Sequence, residues 1–256
     1  MANWVRVRHD GAPRIGQRRG DTIELFEGDL FDAPRATGER IGVEGATWLP
    51  PVHPRQFLGL WNNFHERRLA DGLFVPRSPL YFAKLPGCVA AHGEPVRRPP
   101  GFTGAVKLEA ELGIVIGRPC FQVKLDEVDH HIFGYTCVND LTAPGPLFEE
   151  SGFVHWTRAK SFPGFGPLGP GIETGVDPDS LSVRARVDGR LVQDYPVSDM
   201  IFGPREIVSL ISREVQLLPG DVIACGTSTG ACTLAAGERV SVEIEGVGVL
   251  ENPFLG

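Results

Sequence analysis

The sequence predicts a mainly β fold, a β-rich α+β protein with a few helices, and three observations carry that prediction. Apolar and polar residues alternate over short runs such as "RVSVEIEG", the period of a strand with one buried face. Gly (32) and Pro (22) are abundant together without a collagen-like period, so turns recur throughout the chain. The clearest helical stripe runs through Pro204 to Leu217, where Ile207, Leu210, Ile211 and Val215 share a face and Pro204 stands near the first turn. Two or three helices among many strands do not make a βαβ repeat.

The 256 residues suffice for one large domain, or one large and one small, with a core that needs no disulfide or structural metal. Residues 1–52 read as a small β-rich unit, with strand-like "WVRVRH" and "TIELFEG" separated by turn residues. "WLPPVHP" (Trp48–Pro54) then forms a stiff connector, because proline fixes φ and favours extended neighbours. Residues 53–256 form the main domain. Its first strand is "FLGLW" (Phe57–Trp61), feeding a helix from Asn62 or Asn63 to Ala70. There Asn63 and Glu66 have capping-box spacing, and Gly72 is the stop. "PLYFAKL" (Pro79–Leu85) reads as a strand, Glu94–Gly104 as a loop, then Val106–Gly117 and His131–Asp140 as apolar strands. Ala143–Gly171, crowded with Gly, Pro and aromatics, reads as a loop. "LSVRARVDG" and "RLVQDYPV" make a hairpin through Asp188-Gly189, and "VIACG", "RVSVEIEG" and "VGVLEN" close the fold.

Composition excludes several classes. A net charge of −7, with no basic cluster beyond pairs such as Arg97-Arg98, argues against nucleic acid as a partner. Five scattered cysteines without C-x-x-C spacing point to a reducing compartment rather than a disulfide framework. The start "MANWVRVRHDG" has no apolar signal region, and the uncharged stretch Val222–Gly237 is too short to span a bilayer; the cytoplasm is expected, with no membrane partner. "GTSTGACT" lacks the lysine of a phosphate loop, and no His-x-x-x-His metal pair occurs. His130-His131 belongs to a surface turn, since neighbouring strand residues face opposite ways.

Chemistry concentrates in "VKLEAELGIVIG". Alternation puts Lys107, Glu109 and Glu111 on one face, the two glutamates roughly 6.5–7 Å apart at Cα. Two like charges on so hydrophobic a strand mean either a wet face or a positive group between them. Asp140, ending another apolar strand, offers a third carboxylate, and three hard oxygen donors suit Mg²⁺.

From about Phe57 onward the chain resembles the fumarylacetoacetate hydrolase family. "LEAELGIVIG" is similar to its E-x-E strand, "GYTCVNDLTA" to its strand ending in Asp, "WTRAKSFPGFGPLGP" to its lysine segment and "GDVIACGTSTG" to its C-terminal turn. The resemblance implies a mixed β-sandwich or roll and a homodimer. It implies Glu109, Glu111 and Asp140 as ligands of Mg²⁺ or Mn²⁺, Lys160 as the active-site lysine, and Thr227 beside the substrate carboxylate. His65 stands at the family's lid histidine, but Arg68 replaces the glutamate that pairs with it for water activation. Pro144 and Gly145 replace an expected Arg and Asp. Gln193 reads first as an ordinary hairpin residue, with an approach to the site as the alternative. The implied activity is divalent-metal-dependent, on a 2-oxo or 2,4-diketo acid through a metal-bound enolate. C–C bond hydrolysis comes first; isomerisation of the 2-hydroxyhepta-2,4-diene-1,7-dioate kind, or decarboxylation, is the alternative. A non-catalytic protein that binds a small acid or serves as a scaffold is the alternative from another class.

Overall fold

A computed structural model describes residues 2–256. Strands gather into a twelve-stranded and a five-stranded sheet, as the mainly β reading requires. Along the larger sheet run Arg35–Gly42, Thr22–Glu27, Ala12–Arg19, Ala2–His9, Gly166–Thr174, Ile132–Asn139, Ala110–Ile116, Val222–Ala224, Phe57–Trp61 and Leu80–Lys84. The smaller sheet orders Arg190–Pro196, Ser182–Val187, Arg239–Ile244, Gly248–Leu255 and Val96–Arg97. Val183, Ala185 and Val187 alternate inward beside Val240, Val242 and Ile244, and join Leu112, Ile114 and Val138 of the larger sheet in one apolar cluster. Each such fully buried aliphatic side chain contributes about 1.5–3 kcal/mol, so stability resides between the sheets. No helix among the described residues is long and apolar enough to cross a membrane.

Residues 2–49 keep a small cluster of their own, Val5, Val7, Ile23 and Leu25 under Ile41 and Trp48. They also extend the large sheet, because Ala2–His9 pairs antiparallel with Gly166–Thr174. The turn at Asp10-Gly11 holds both residues at positive φ, 49° and 76°, the twist that a two-residue hairpin needs.

Several expected elements are corrected. The strand expected from Val106 pairs regularly only over Ala110–Ile116, because the Glu109 amide donates to the Asn139 side chain instead of the ladder. The helix expected from Asn62 or Asn63 spans His65–Ala70, since Asn62 has φ of 58° and Asn63 turns its side chain away to Phe202 and Cys225. The expected capping box is therefore absent; Asp199 accepts the Glu66 amide. The helix expected to reach Leu217 ends at Ile211, where Ser212 bonds back to Ser209 and holds the Val123 amide.

The largest correction concerns Ala143–Gly171. That segment holds short helices Pro144–Leu147 and Trp156–Lys160 and the start of the strand Gly166–Thr174, which lies inside the large sheet. Proline argues against a central strand because it cannot donate to the ladder. Here Pro170 falls where the register with Ile132–Asn139 breaks, between the pairs Cys137–Gly169 and Tyr135–Glu173, so no ladder bond is asked of it.

Candidate active site

Two neighbouring strands position the acids. Ala110 pairs with Asn139, so Glu109 and Asp140 lie just beyond the same rung, and the Asp140 amide donates to the Glu109 carbonyl at 2.8 Å. Glu111 sits one rung inside. Oxygens of all three carboxylates lie within 4.8 Å of one another. Of the two readings of that face, the wet one is excluded: Glu111 is 1% exposed and Asp140 fully buried.

Positive charge does lie between the carboxylates. Lys160, at the end of its short helix, sets Nζ 2.5 Å from Glu109 Oε2 and 2.5 Å from Asp140 Oδ2. A second buried lysine, Lys84, donates to Asp140 Oδ1 at 2.6 Å and to the carbonyls of Lys160 and Phe165. Each oxygen of Asp140 thus meets one ammonium. Burial alone would raise the Asp140 pKa, but Lys160 and Lys84 outweigh it and hold the carboxyl below its ordinary value. Burial would likewise lower Lys160, and the surrounding acids reverse that, raising it. Glu111 has no ammonium within ion-pair distance; the Gly226 amide donates to it at 2.7 Å. Burial, with Asp140 adding to it, pushes its pKa well above the carboxylate range. Gly226 has φ of 92°, the left-handed backbone that favours glycine.

Two buried acids and the partly exposed Glu109 face two buried lysines. The surplus negative charge, on hard oxygen donors that converge, is the setting a divalent cation stabilises, and the residues fit one. Glu109, Glu111 and Asp140 are the groups that would hold it.

Above them opens a cavity of about 410 Å³. Trp61, Phe82 and Trp156 form an aromatic wall, with Phe82 and Trp156 stacked at 5.0 Å and Lys160 Nζ 5.2 Å from the Phe82 ring centre. Thr227 lines the same space, and its Oγ1 accepts from Gln193 Nε2 at 2.9 Å. Gln193 is not an ordinary hairpin residue: it is 2% exposed, accepts the Ala110 amide, and pins Thr227 and the carbonyls of Ser228 and Thr229.

The structure therefore brings Glu109, Glu111, Asp140, Lys160 and Thr227 together, but not His65. His65 is exposed at the start of its helix and does not line the cavity. The capping role expected of Glu66 is absent, and its carboxylate instead accepts from Thr229. Glu149 pairs with Arg158 at the surface, and neither it nor Glu150 lines the cavity. Lys84 went unread as a site residue, although "LYFAK" carries the signal: Lys84 has the buried phase of Phe82. Gln193 shares a phase with buried Tyr195 in the same way.

Converging carboxylates and a buried lysine thus lie under an apolar-walled cavity in a β-fold. The family profile "Fumarylacetoacetate (FAA) hydrolase C-terminal" matches residues 58–255 and "Rv2993c-like, N-terminal" matches residues 3–51. The chain belongs to the fumarylacetoacetate hydrolase family. It is 32% identical to an uncharacterized protein of Methanocaldococcus jannaschii, over 92% of this chain and 95% of that one. It is also 32% identical to the mitochondrial oxaloacetate tautomerase fahd2 of Xenopus laevis, over 95% of this chain and 80% of that one. Among solved structures, the 2-hydroxyhepta-2,4-diene-1,7-dioate isomerase of Mycobacterium marinum superposes with a TM-score of 0.91 at 31% identity, covering 100% of this chain and 98% of the other.

Proposed function

We propose that this chain moves a proton at the carbon beside the keto group of a 2-oxo acid, a keto–enol tautomerisation or double-bond isomerisation. The cofactor of this reading is Mg²⁺ or Mn²⁺ held by Glu109, Glu111 and Asp140. One observation carries it: a protonated Lys160 bridges two of three converging acids at the cavity floor, with no histidine lining that cavity among the described residues. C–C hydrolysis needs an activated water, and the pair expected to supply it lacks its acid, since Arg68 follows His65 by three positions. Tautomerisation needs only an oxyanion stabiliser and a proton acceptor. The relatives described as a tautomerase and an isomerase support the same reading.

A bound divalent cation supplies Lewis-acid polarisation of the carbonyl. Lys160, kept cationic by its acids, donates to the developing enolate oxygen, and the aromatic wall excludes water so that this hydrogen bond keeps its strength. Thr227, oriented by Gln193, orients the substrate carboxylate. To Asp71, a carboxylate on the cavity wall paired with Arg67, we assign the carbon proton.

The test is a panel of oxaloacetate, 2-hydroxydienoates and acylpyruvates, each with Mg²⁺ and with EDTA, followed by enol absorbance and product analysis. Metal-dependent enol–keto conversion with an intact carbon chain is expected. Cleavage products would return hydrolysis to first place, and no metal-dependent turnover would favour the non-catalytic reading.

A further inference from the structure

We infer that Lys107 recognises a second anionic group on the substrate and makes this cavity selective for dicarboxylic over monocarboxylic 2-oxo acids. This rests on the reading above for where the keto-acid end lies. Three cations line the cavity among the described residues: Arg67, Lys107 and Lys160. Arg67 is paired with Asp71, and Lys160 with Glu109 and Asp140. Lys107 makes neither an ion pair nor a side-chain hydrogen bond with any described residue, and it is half-buried.

Its position is fixed by the backbone. Lys107 and Thr142 exchange both hydrogen bonds, at 2.8 and 3.0 Å, which turns Lys107 onto the face that Glu109 and Glu111 share. Lys107 therefore stands about 6.5–7 Å at Cα from Glu109, in the lining of the same cavity. The lining beside it, at Thr142, Pro144 and Leu147, supplies no charge of its own. An acid whose keto end rests on Lys160 and the carboxylate cluster has one free cation within reach of its other end. A lone ammonium against a partly apolar wall attracts a carboxylate more strongly than it would in bulk water.

Matched acids that differ only in the terminal carboxylate test this: 2-oxoglutarate against 2-oxovalerate, and 2-oxoadipate against 2-oxohexanoate. Dissociation constants are measured by calorimetry with Mg²⁺ for the natural protein, Lys107→Met and Lys107→Arg, after circular dichroism shows that the variants fold. The natural protein is expected to favour the diacid of at least one pair by about tenfold to a hundredfold, the range of a charge-assisted hydrogen bond. Lys107→Met should abolish that preference while leaving the monoacid constant within about twofold, and Lys107→Arg should keep most of it. Equal affinity for both members of each pair, or a preference that survives Lys107→Met, would overturn the assignment. Exchange of the C3 protons into D₂O, followed by NMR in the same samples, reads catalysis separately. A normal affinity ratio without exchange would end the tautomerase reading and leave Lys107 in its role.

Discussion

The floor of the cavity and its rim are built on opposite principles. Floor groups — Glu111, Asp140, Lys84 and Lys160 — are all nearly or fully buried, and each is held by the sheet or by a short helix packed on it. Rim groups stand on short helices and connecting loops: His65 is exposed, Phe148 is 70% exposed, and the half-buried Arg67 pairs with an exposed Asp71. The difference teaches where variation is tolerated. Any change in the floor leaves a buried charge without its partner, whereas a change in the rim alters which proton moves or which substrate fits.

That contrast is most sharply tested by Lys84→Met. Removing one member of a buried ion pair costs roughly 3–5 kcal/mol, so the urea midpoint should fall steeply. Because the variant also leaves three acids facing a single lysine, added Mg²⁺ should recover part of the loss. A midpoint unmoved by the substitution would mean that the floor is not electrostatically tensioned. In the rim, Asp71→Asn should lower the tautomerisation rate roughly a hundredfold, the usual contribution of a general base, with the fold intact. His65→Ala should leave both rate and stability nearly unchanged, stability within about 0.5 kcal/mol. A rate loss in His65→Ala equal to that in Asp71→Asn would show that the helix closes over the cavity during turnover.

The smallest effect lies outside both regions. His92 packs edge-on against Trp48 and its Nδ1 accepts the Glu251 amide. Burial lowers its pKa below the ordinary 6.5, with Arg18 and Arg239 opposing the charged form and Glu251 favouring it. The unfolded chain therefore binds the proton first as pH falls below 6.5, and stability declines there. His92→Gln should flatten that decline, seen as a smaller difference between urea midpoints at neutral pH and near pH 5.5. An unchanged slope would assign the acid sensitivity to other groups.

Much of the floor was legible in the sequence, and for a physical reason. Glu109, Glu111 and Asp140 interrupt or end otherwise apolar strands, and a charge inside an apolar period must have a partner. Lys84 and Gln193 carried the same signal more faintly, because one polar residue in phase with one aromatic is common at ordinary strand ends. The segment from Ala143 to Gly171 was opaque. Its glycines and prolines predict a loop by local preference, and only the sheet edges offered by Ala2–His9 and Ile132–Asn139 make a strand of its end. The strands Ala12–Arg19 and Arg35–Gly42 were missed for the complementary reason: they are polar on both faces, and pairing rather than burial defines them.

The bond between Ala2 and Thr174 joins residues 172 positions apart. On the outer edge of the hairpin Ala2–Arg19, Arg6–Arg8 pair with the nearby Thr47–Leu49, whereas Ala2–Val5 pair with the distant Gly171–Thr174. Only the short stretch Ala2–Val5 depends on the later strand for its second set of partners. Completion of the large sheet is therefore a long-range event.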